Sequence, residues 1–439
     1  MRTSIILIII FTIVPVLLKS QEIFTLKQCI DTGLEKNYQI RIVRNNQKIS
    51  DNNLSLGNAG YLPTLDLSAG YSGTLNNVTQ YPETGDNLKD KNVHNQLLNA
   101  GINLNWTVFE GFSIQTNNSR LKELQKIGEL NTRLGVEDLI STLTSEYYNY
   151  IQQTIRLKNL KSAVDLSRER LRIVEERYNI GVSSRLDYQQ ARVDFNSDSS
   201  KLIQQREVVF SARIRFNQIL AMDSIETELN VEDTIILFDI LMNKEELLQK
   251  AISGNIYLLL AQKEKDISVL DLKTVQAQNY PYLRLNAGYG YNQNMYGTGT
   301  YKQQNNLGFN YGVTLGYNIF DGFNRSRSKE NARIVIDSKE LAYQELELSV
   351  KSDFADVWMA YLNNMKLKNL EKENIETARD NYEIAMDRYK LGDLSGIELR
   401  EAQNSLLEAE ERLIQAQYKT KLCEISIMQI CGQLDIYLK

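Results

Sequence analysis

The chain has 439 residues, of which 50 are basic and 55 acidic, giving a formal net charge of −5. This mild acidity argues against a nucleic-acid partner, because phosphate recognition needs a basic face. The single histidine, His94, lies in a polar predicted loop, which excludes most histidine-based catalysis and zinc binding. The three cysteines, Cys29, Cys423 and Cys431, do not form a disulfide framework or a metal site, so we expect packing residues and no cofactor.

Residues 1–20 have the pattern of a cleaved secretory signal peptide. Arg2 precedes an apolar run from Ile5 to Leu18, and Lys19 and Ser20 follow it. A membrane anchor is the alternative, but a spanning helix needs about 20 apolar residues. No later stretch is apolar over that length, so we expect no transmembrane helix in the mature chain.

The remaining sequence contains an internal repeat. Segments that begin at Pro63 and Pro281 share the pattern Pro-x-Leu-x-Leu-x-Ala-Gly-Tyr, and a Phe-x-Gly-Phe pattern follows each of them. Two copies of the same motifs in the same order indicate duplication. We therefore predict a first repeat at residues 21–221, a connector at residues 222–242 and a second repeat at residues 243–439.

Each repeat opens with a predicted helix, which runs to about residue 59 in the first repeat and 278 in the second. Both helices start with a capping box, in which the first side chain and another three positions later satisfy free amide groups. The two pairs are Thr25 with Gln28 and Asn243 with Glu246.

Each repeat then changes to the alternation that is typical of β-strands. The apolar positions include Leu65, Leu67, Ile102, Leu104, Leu283, Leu285, Val313, Leu315, Tyr317 and Ile319. This pattern predicts one β-hairpin at about residues 61–110 and a second at about 280–321. Such strands suit the wall of a membrane barrel, with a soluble two-hairpin sheet as the alternative. Four strands cannot close in lipid, so a membrane protein would need two copies for eight strands or three for twelve.

Apolar residues recur every seven positions after the strands of each repeat. The series include Leu143, Tyr150, Leu157 and Val164 in the first repeat, and Leu399, Leu406 and Leu413 in the second. Sustained heptads predict coiled-coil helices, and one from Ser113 to Tyr178 would span roughly 100 Å at about 1.5 Å per residue. The predicted fold class is therefore mixed α and β, with a long coiled-coil α-helical body and four β-strands per chain that suit a membrane barrel.

Two similar segments interrupt these helices, and we name them the first tip (residues 178–187) and the second tip (residues 389–398). In each, a glycine ends one helix and a capping box starts the next, which predicts a helical hairpin. The residues are Gly181, Ser184 and Asp187 in the first tip and Gly392, Ser395 and Glu398 in the second. The acidic, β-branched connector predicts a small strand pair beside the helices.

The signal peptide, the duplicated strand hairpins, the long paired helices and the two Tyr-x-x-Gly-x-x-Ser-x-x-Asp/Glu tips together resemble the outer membrane efflux protein family, the TolC-type channel-tunnels. The resemblance implies a homotrimer in the outer membrane of a Gram-negative bacterium, with a shared twelve-stranded β-barrel. It also implies a helical tunnel through the periplasm that the tips close. Such a channel is not an enzyme and works with a periplasmic adaptor protein and an inner-membrane transporter.

In that family a tyrosine and acidic residues hold the closed end. Matching by motif gives the candidate gate residues Asp187, Tyr389, Glu398 and Glu401. Some members use an arginine after the tip glycine, but Leu394 occupies that position here, so the closing network must differ. Candidate arginines for this closing network are Arg185, Arg388 and Arg400. If three chains bring such carboxylates around a narrow pore, the ring would select for cations.

Simpler roles also fit these residues. Asp187 and Glu398 occupy the third helical position, where a carboxylate caps the helix and meets its dipole. Glu401 fits a solvated face, and the tip tyrosines fit coiled-coil packing. The turn-forming residues are also candidate docking points for an adaptor: Tyr178, Gly181, Ser184, Gly392 and Ser395.

The leading functional prediction is a passive exit duct for small toxic molecules. The outer-membrane channel of a type I protein secretion system is the alternative, because a wide tunnel does not select among the molecules that pass through it. A structural coiled-coil envelope protein would not explain the strand hairpins. An enzyme is disfavoured, because the glycines at 288, 290 and 297 lack the Lys-Ser/Thr that a phosphate-binding loop needs.

Overall fold

The computed structural model describes residues 23–81, 83–233, 235–236 and 242–438. The predicted signal peptide, residues 1–20, lies outside the described residues. The chain divides into two compact units. The helical unit comprises the described residues within 1–40, 136–247 and 354–439, and the sheet unit comprises those within 41–135 and 248–353.

The same order of helices and strands occurs twice along the described chain, apart from a short helix, Leu56–Ala59, in the first series and a 3-10 helix at the end of the second. The first series is β1 (Ile23–Phe24), α1 (Leu26–Lys36), α2 (Tyr38–Asn53), α3 (Leu56–Ala59), β2 (Thr64–Gln80), β3 (Leu88–Glu110), α4 (Ser113–Asn179) and α5 (Arg185–Ile219). The second series is β4 (Asn230–Val231), α6 (Lys244–Gly254), α7 (Ile256–Ala277), β5 (Tyr282–Met295), β6 (Gln303–Gly316), α8 (Asn324–Leu391), α9 (Gly396–Ile430) and a 3-10 helix (Leu434–Leu438). The predicted combination of long helices with antiparallel strands is confirmed for the single chain.

The four long helices form two helical hairpins, the first from α4 and α5 and the second from α8 and α9. The first helix of each hairpin has 67 or 68 residues and the second has 35. Large side chains such as Tyr147, Phe216 and Phe354 are fully buried in the helical unit. Burial of these aromatic rings supplies much of the hydrophobic stabilisation that holds long helices together.

The sheet unit contains one four-stranded antiparallel sheet in the order β2-β3-β5-β6. The register aligns the predicted apolar positions across all four strands, in rows such as Leu67, Ile102, Tyr289 and Phe309. Leu67 is 80% exposed and Phe309 65%, so this apolar face is uncovered within the chain. The opposite face is polar and rich in asparagine and glycine. β2 and β6 are the two edges of the sheet, each with unpaired backbone groups on one side.

Strand β6 is shorter than the sequence pattern predicts. It ends at Gly316, so the prediction that Tyr317 and Ile319 continue the strand was wrong for the single chain. The partner strand β5 begins at Tyr282, directly after Pro281, and Tyr282 pairs with Gly316. Residues beyond 316 therefore have no further partner on β5. The prediction for His94 was also wrong, because this residue lies in β3 opposite Leu75 and not in a loop.

The helix that opens each repeat is broken once, which the sequence pattern did not predict. The breaks lie at equivalent asparagines, Asn37 and Asn255, both with extended backbone angles. The Asn37 side chain accepts hydrogen bonds from the amides of Gln39 and Ile40, at 2.9 and 3.3 Å. Asn255 accepts from the amides two and three positions later, at 3.0 and 3.3 Å. Each asparagine therefore caps a new helix, which offsets the lost helical hydrogen bonds.

The connector is attached to the helical unit by a short strand. The connector supplies one strand, β4, of the small strand pair that was predicted. The other strand is β1, near the N-terminus, and the two pair in parallel. Two tyrosine hydroxyls of α4 hold the connector, because Tyr147 donates to Asp233 at 2.9 Å and Tyr150 donates to the Leu229 carbonyl at 3.2 Å.

The three cysteines are free thiols, with Cys29 and Cys431 buried and Cys423 half-buried. The predicted role as a packing residue is confirmed for Cys29 and Cys431, which belong to the buried core. Burial raises the pKa of Cys29 to about 12, because a thiolate loses its hydration there. A membrane-spanning helix was not found anywhere in the described part of the chain.

Candidate functional site

The two tips are turns of the same geometry. Gly181 and Gly392 have φ angles of +79° and +87°, which only glycine adopts without cost. In the first tip, Gly181 N donates to Tyr178 O at 3.0 Å, and the following amide donates to Arg177 O at 2.9 Å. The second tip repeats both bonds, at 3.1 and 3.0 Å. This pair of bonds satisfies the last carbonyl groups of α4 and α8 and confirms the predicted glycine turns.

Capping boxes start both of the following helices, as predicted. Ser184 Oγ donates to Asp187 Oδ2 at 2.7 Å, and Asp187 N donates to Ser184 Oγ at 3.1 Å. Ser395 and Glu398 make the equivalent bonds at 2.7 and 3.3 Å. These bonds to serine hold the pKa of both carboxyl groups below the ordinary value. The two carboxylates therefore stay charged while they cap.

Tyr389 connects the second tip to the first. This residue is only 4% exposed and packs in a cluster with Val174, Ala191, Leu399 and Leu406. Arg177 of α4 lies over the tyrosine ring and donates Nη2 to Tyr389 O at 2.9 Å. Burial raises the pKa of the Tyr389 hydroxyl, so it remains protonated. The coiled-coil packing that the heptad predicts thus describes this tyrosine in the single chain.

Tyr178 has a different environment from its counterpart. It is 38% exposed and stacks on Tyr188 with ring centroids 5.5 Å apart. Tyr188 also donates its hydroxyl to Glu175 at 3.4 Å. This stack closes the first tip across its two helices and leaves one face of Tyr178 accessible.

Two of the three acidic candidates line an open groove between the two hairpins. Asp187 and Glu401 line this groove together with Asp194 and Arg400. Asp187 and Tyr389 also border a neighbouring groove, beside Gly392 and Ser395. Glu398 is exposed at the start of α9 and does not line either groove. Asp187 therefore borders both grooves, with Tyr389 in one and Glu401 in the other, and Glu398 lies outside both.

Two of the three arginine candidates, Arg388 and Arg400, have partners within the chain. Arg388 donates to Asp393 Oδ2, from Nε at 3.1 Å and Nη2 at 3.0 Å. Arg400 pairs with Asp198 of α5, and Arg185 is exposed at the start of α5. Leu394 packs against the Tyr389 cluster, which explains an apolar residue at that position.

Asp198 is a residue of this region that the sequence analysis missed. It lies three residues after Phe195 and four before Leu202, so the heptad places it at a core position. A charged residue at a core position predicts a buried partner, and this signal was present in the sequence. Among the described residues, no group of three or more His, Cys, Asp or Glu side chains could hold a metal ion.

Comparison with known proteins identifies relatives over most of the chain. The family model "Outer membrane efflux protein" matches residues 29–221 and 247–433. The outer membrane protein TolC of Vibrio cholerae serotype O1 is 22% identical over 382 residues, covering 85% of this chain and 83% of the relative. TolC of Escherichia coli K12 is 22% identical over 392 residues, covering 85% and 75%.

Solved structures share the fold at lower identity. The Campylobacter jejuni CmeC outer membrane channel matches with a TM-score of 0.77 and 16% identity, over 93% of this chain and 85% of that one. The outer-membrane channel OprN matches with a TM-score of 0.75 and 18% identity, over 93% and 90%. The helices and strands described above therefore follow a known architecture.

Proposed function

This chain belongs to the outer membrane efflux protein family, and on that premise we propose that it is the passive exit duct of a tripartite efflux system. The family places the protein in the outer membrane of a Gram-negative bacterium, and its relatives are channel proteins. The observation that carries the proposal is the sheet, whose uncovered face is apolar and whose opposite face is polar. Such a sheet suits lipid on one side and water on the other.

A homotrimer completes this duct. The sheet has two open edges, β2 and β6, and lipid cannot satisfy their amide and carbonyl groups. Three copies joined edge to edge would give a twelve-stranded barrel without edges. The polar face would then line the water-filled lumen. Long, exposed apolar edges also make an isolated sheet prone to aggregation, which favours association of copies.

The tips form the periplasmic gate of this duct. Asp187, Tyr389, Glu398 and Glu401 are the proposed gate residues, and the three copies of each would surround the pore. Within one chain, Asp187 and Glu398 cap helices and Tyr389 packs in a buried cluster. The proposed gate is therefore built from residues that also stabilise the tips. Gly181 and Gly392 leave open space at both turns, which suits docking of a periplasmic adaptor. The adaptor would join the duct to an inner-membrane transporter.

Small toxic molecules are the proposed cargo, and the duct itself carries out no chemistry. Deleting the gene in the source bacterium should raise the accumulation of a fluorescent dye such as ethidium, and re-expression should restore its export. Unchanged dye accumulation together with loss of one secreted protein would instead support a type I secretion channel. The purified protein should migrate as a trimer on gels before heating and as a monomer after it. A protein that stays monomeric in detergent and conducts no ions in a bilayer would contradict the duct.

A further inference from the structure

The two strand hairpins of the sheet pair in the same register. In the first hairpin, Leu67 of β2 lies opposite Ile102 of β3. In the second hairpin, the equivalent residues of the repeat, Leu285 of β5 and Val313 of β6, lie opposite each other. The hairpins therefore correspond residue by residue, so that β2 is equivalent to β5 and β3 is equivalent to β6.

One seam between the two hairpins lies within the chain, where β3 pairs with β5. Ile102 lies opposite Tyr289 in this seam. A homotrimer needs a second kind of seam, between β6 of one copy and β2 of the next, because these strands are the open edges of the sheet. If equivalent strands pair alike, this second seam places Val313 opposite Tyr71 of the partner subunit.

The seam within the chain carries an ion pair, because Arg284 of β5 donates Nη2 to Glu110 of β3 at 3.2 Å. Asp66 has the same place in the Pro-x-Leu-x-Leu motif as Arg284, and Asp321 has the same place in the Phe-x-Gly-Phe motif as Glu110. The seam between copies would therefore bring Asp321 toward Asp66 of the partner subunit. Two like charges in facing positions destabilise a sheet unless a positive group lies between them.

Arg325, the second residue of α8, supplies a positive group at this point. It donates Nε to Asp321 Oδ2 at 3.2 Å, and the side chains of both residues are only 17% exposed. It also donates Nη1 to the carbonyl of Gln278 at 3.1 Å, which fixes the position of the guanidinium. The equivalent residue of the first repeat is Ile114. The arginine is therefore present in the repeat whose seam brings two acidic residues together, and it is replaced by an aliphatic residue in the other.

Contact between Arg325 and Asp66 requires two copies of the chain. Strands β2 and β6 are opposite edges of the sheet, three strand spacings apart, which is roughly 14 Å at about 4.8 Å for each spacing. This separation is too large for an ionic contact within one copy. A guanidinium has five N–H donors in a planar fork, so it can bind Asp321 and a second carboxylate at the same time.

We propose that Arg325 bridges Asp321 of its own chain and Asp66 of the partner subunit, and that this bridge fixes the seam between β6 and β2. Two aspartates are shorter than the Arg284–Glu110 pair at the equivalent place, which leaves space between them for a third side chain. The inference rests on the proposed homotrimeric duct and names the contact that joins its copies.

The yield of heat-sensitive trimer in outer-membrane fractions tests the bridge with the full-length protein. Arg325→Gln should lower this yield by roughly tenfold or more, because each of the three seams then brings two unpaired carboxylates together. Adding Asp66→Asn should restore the yield, and this rescue can arise only between copies. Arg327→Gln is the matched control, because Arg327 of α8 donates to Gly322 O and Asn324 Oδ1 of its own chain.

A second pair of variants copies the seam within the chain into the seam between copies. Asp66→Arg with Arg325→Ile supplies the residue types of Arg284 and Ile114 at the equivalent places. This double variant should form trimer as well as the unmodified protein does, whereas Arg325→Ile alone should not. The comparison also separates a loss of the bridge from a folding defect, because both variants lack Arg325.

Disulfide cross-linking tests the register of the seam. Val313→Cys with Tyr71→Cys should join copies on oxidation, because directly opposed Cα atoms lie about 4.5–5.5 Å apart, within the range of a disulfide. Val313→Cys with Leu75→Cys is the control, because a displacement of four residues along a strand separates the two positions by roughly 13 Å.

The outcomes separate the bridge from the duct. If the unmodified protein is trimeric and Arg325→Gln trimerises equally well, or is not rescued by Asp66→Asn, the bridge is overturned and the duct stands. Trimers in which the control cysteine pair cross-links and the opposed pair does not would overturn the register. An unmodified protein that never forms a trimer would overturn the proposed duct itself.

Discussion

The guanidinium of Arg177, at the end of α4, lies over the ring of Tyr389, at the end of α8, with Cζ 5.0 Å from the ring centroid. The same arginine donates to the carbonyl oxygens of Tyr389 and Lys390 at 2.9 and 3.1 Å. These contacts use the ring and the backbone of Tyr389. They bind the two tips to each other whether or not the tyrosine carries a hydroxyl.

Replacing Tyr389 therefore separates packing from gating. Tyr389→Phe should keep the urea midpoint and the closed conductance, because the ring and the carbonyl remain. Tyr389→Ala should cost roughly 3 kcal/mol or more, as for other buried aromatic side chains. Urea unfolding followed by circular dichroism measures the first property and bilayer recording the second. A Phe variant that is stable but open would show that the tyrosine hydroxyl is needed to close the pore.

The tip glycines provide a second prediction. Alanine at Gly181 or Gly392 should destabilise its turn by about 1 kcal/mol, because an L-residue is strained at these positive φ angles. The space around both positions is open, so the effect would come from the backbone and not from a clash. Gly396→Ala is the control, because Gly396 is the first helical residue of α9, without a positive φ angle, and alanine favours a helix. Hydrogen exchange at the tip amides measures the change, and equal protection in all three variants would contradict it.

Sequence reasoning succeeded where one short segment determines the structure. The capping boxes and glycine turns depend on residues three to six positions apart, so Ser184 with Asp187 could be identified without the structure. The breaks at Asn37 and Asn255 were missed because an asparagine inside a helical pattern has several possible roles. The Asp198–Arg400 pair was missed for another reason. It depends on which turn of α5 faces which turn of α9, and heptad spacing alone does not set that alignment.

Charge and capping can be separated at the proposed gate. The triple variant Asp187→Asn, Glu398→Gln and Glu401→Gln keeps side chains that can still cap but removes three negative charges per chain. Cation preference and sensitivity to divalent ions should fall, because carboxylate rings select for cations. Bilayer reversal potentials in a salt gradient measure the preference. Ser395→Ala is the control, because it weakens a cap by about 1 kcal/mol and keeps the charges. Unchanged selectivity in the triple variant would show that these carboxylates do not line the pore.

Acidification should loosen the tips over a defined pH range. The pKa values of Asp187 and Glu398 lie below their ordinary values of 3.8 and 4.5, owing to the bonds from Ser184 and Ser395. A lowered pKa means that the stabilisation is fully present above the ordinary values and is lost as the pH falls through the lowered ones. Exchange of the amides at 185–188 and 396–399, corrected for intrinsic rates, should therefore stay slow at pH 6 and accelerate below about pH 4. In the Asp187→Asn, Glu398→Gln double variant, this acid-dependent loss of protection should shrink.

The two faces of the sheet should respond differently to the same charge. Phe309 lies on the uncovered apolar face of β6, and its neighbour Gly308 lies on the polar face with open space around it. Phe309→Arg would place a guanidinium in the proposed lipid layer, which costs about 2–4 kcal/mol near the middle of a bilayer. Gly308→Arg would place the same group in the proposed aqueous lumen at little cost. The yield of heat-sensitive trimer in outer-membrane fractions should fall for the first variant and be retained for the second. Equal yields would argue that the apolar face meets protein and not lipid.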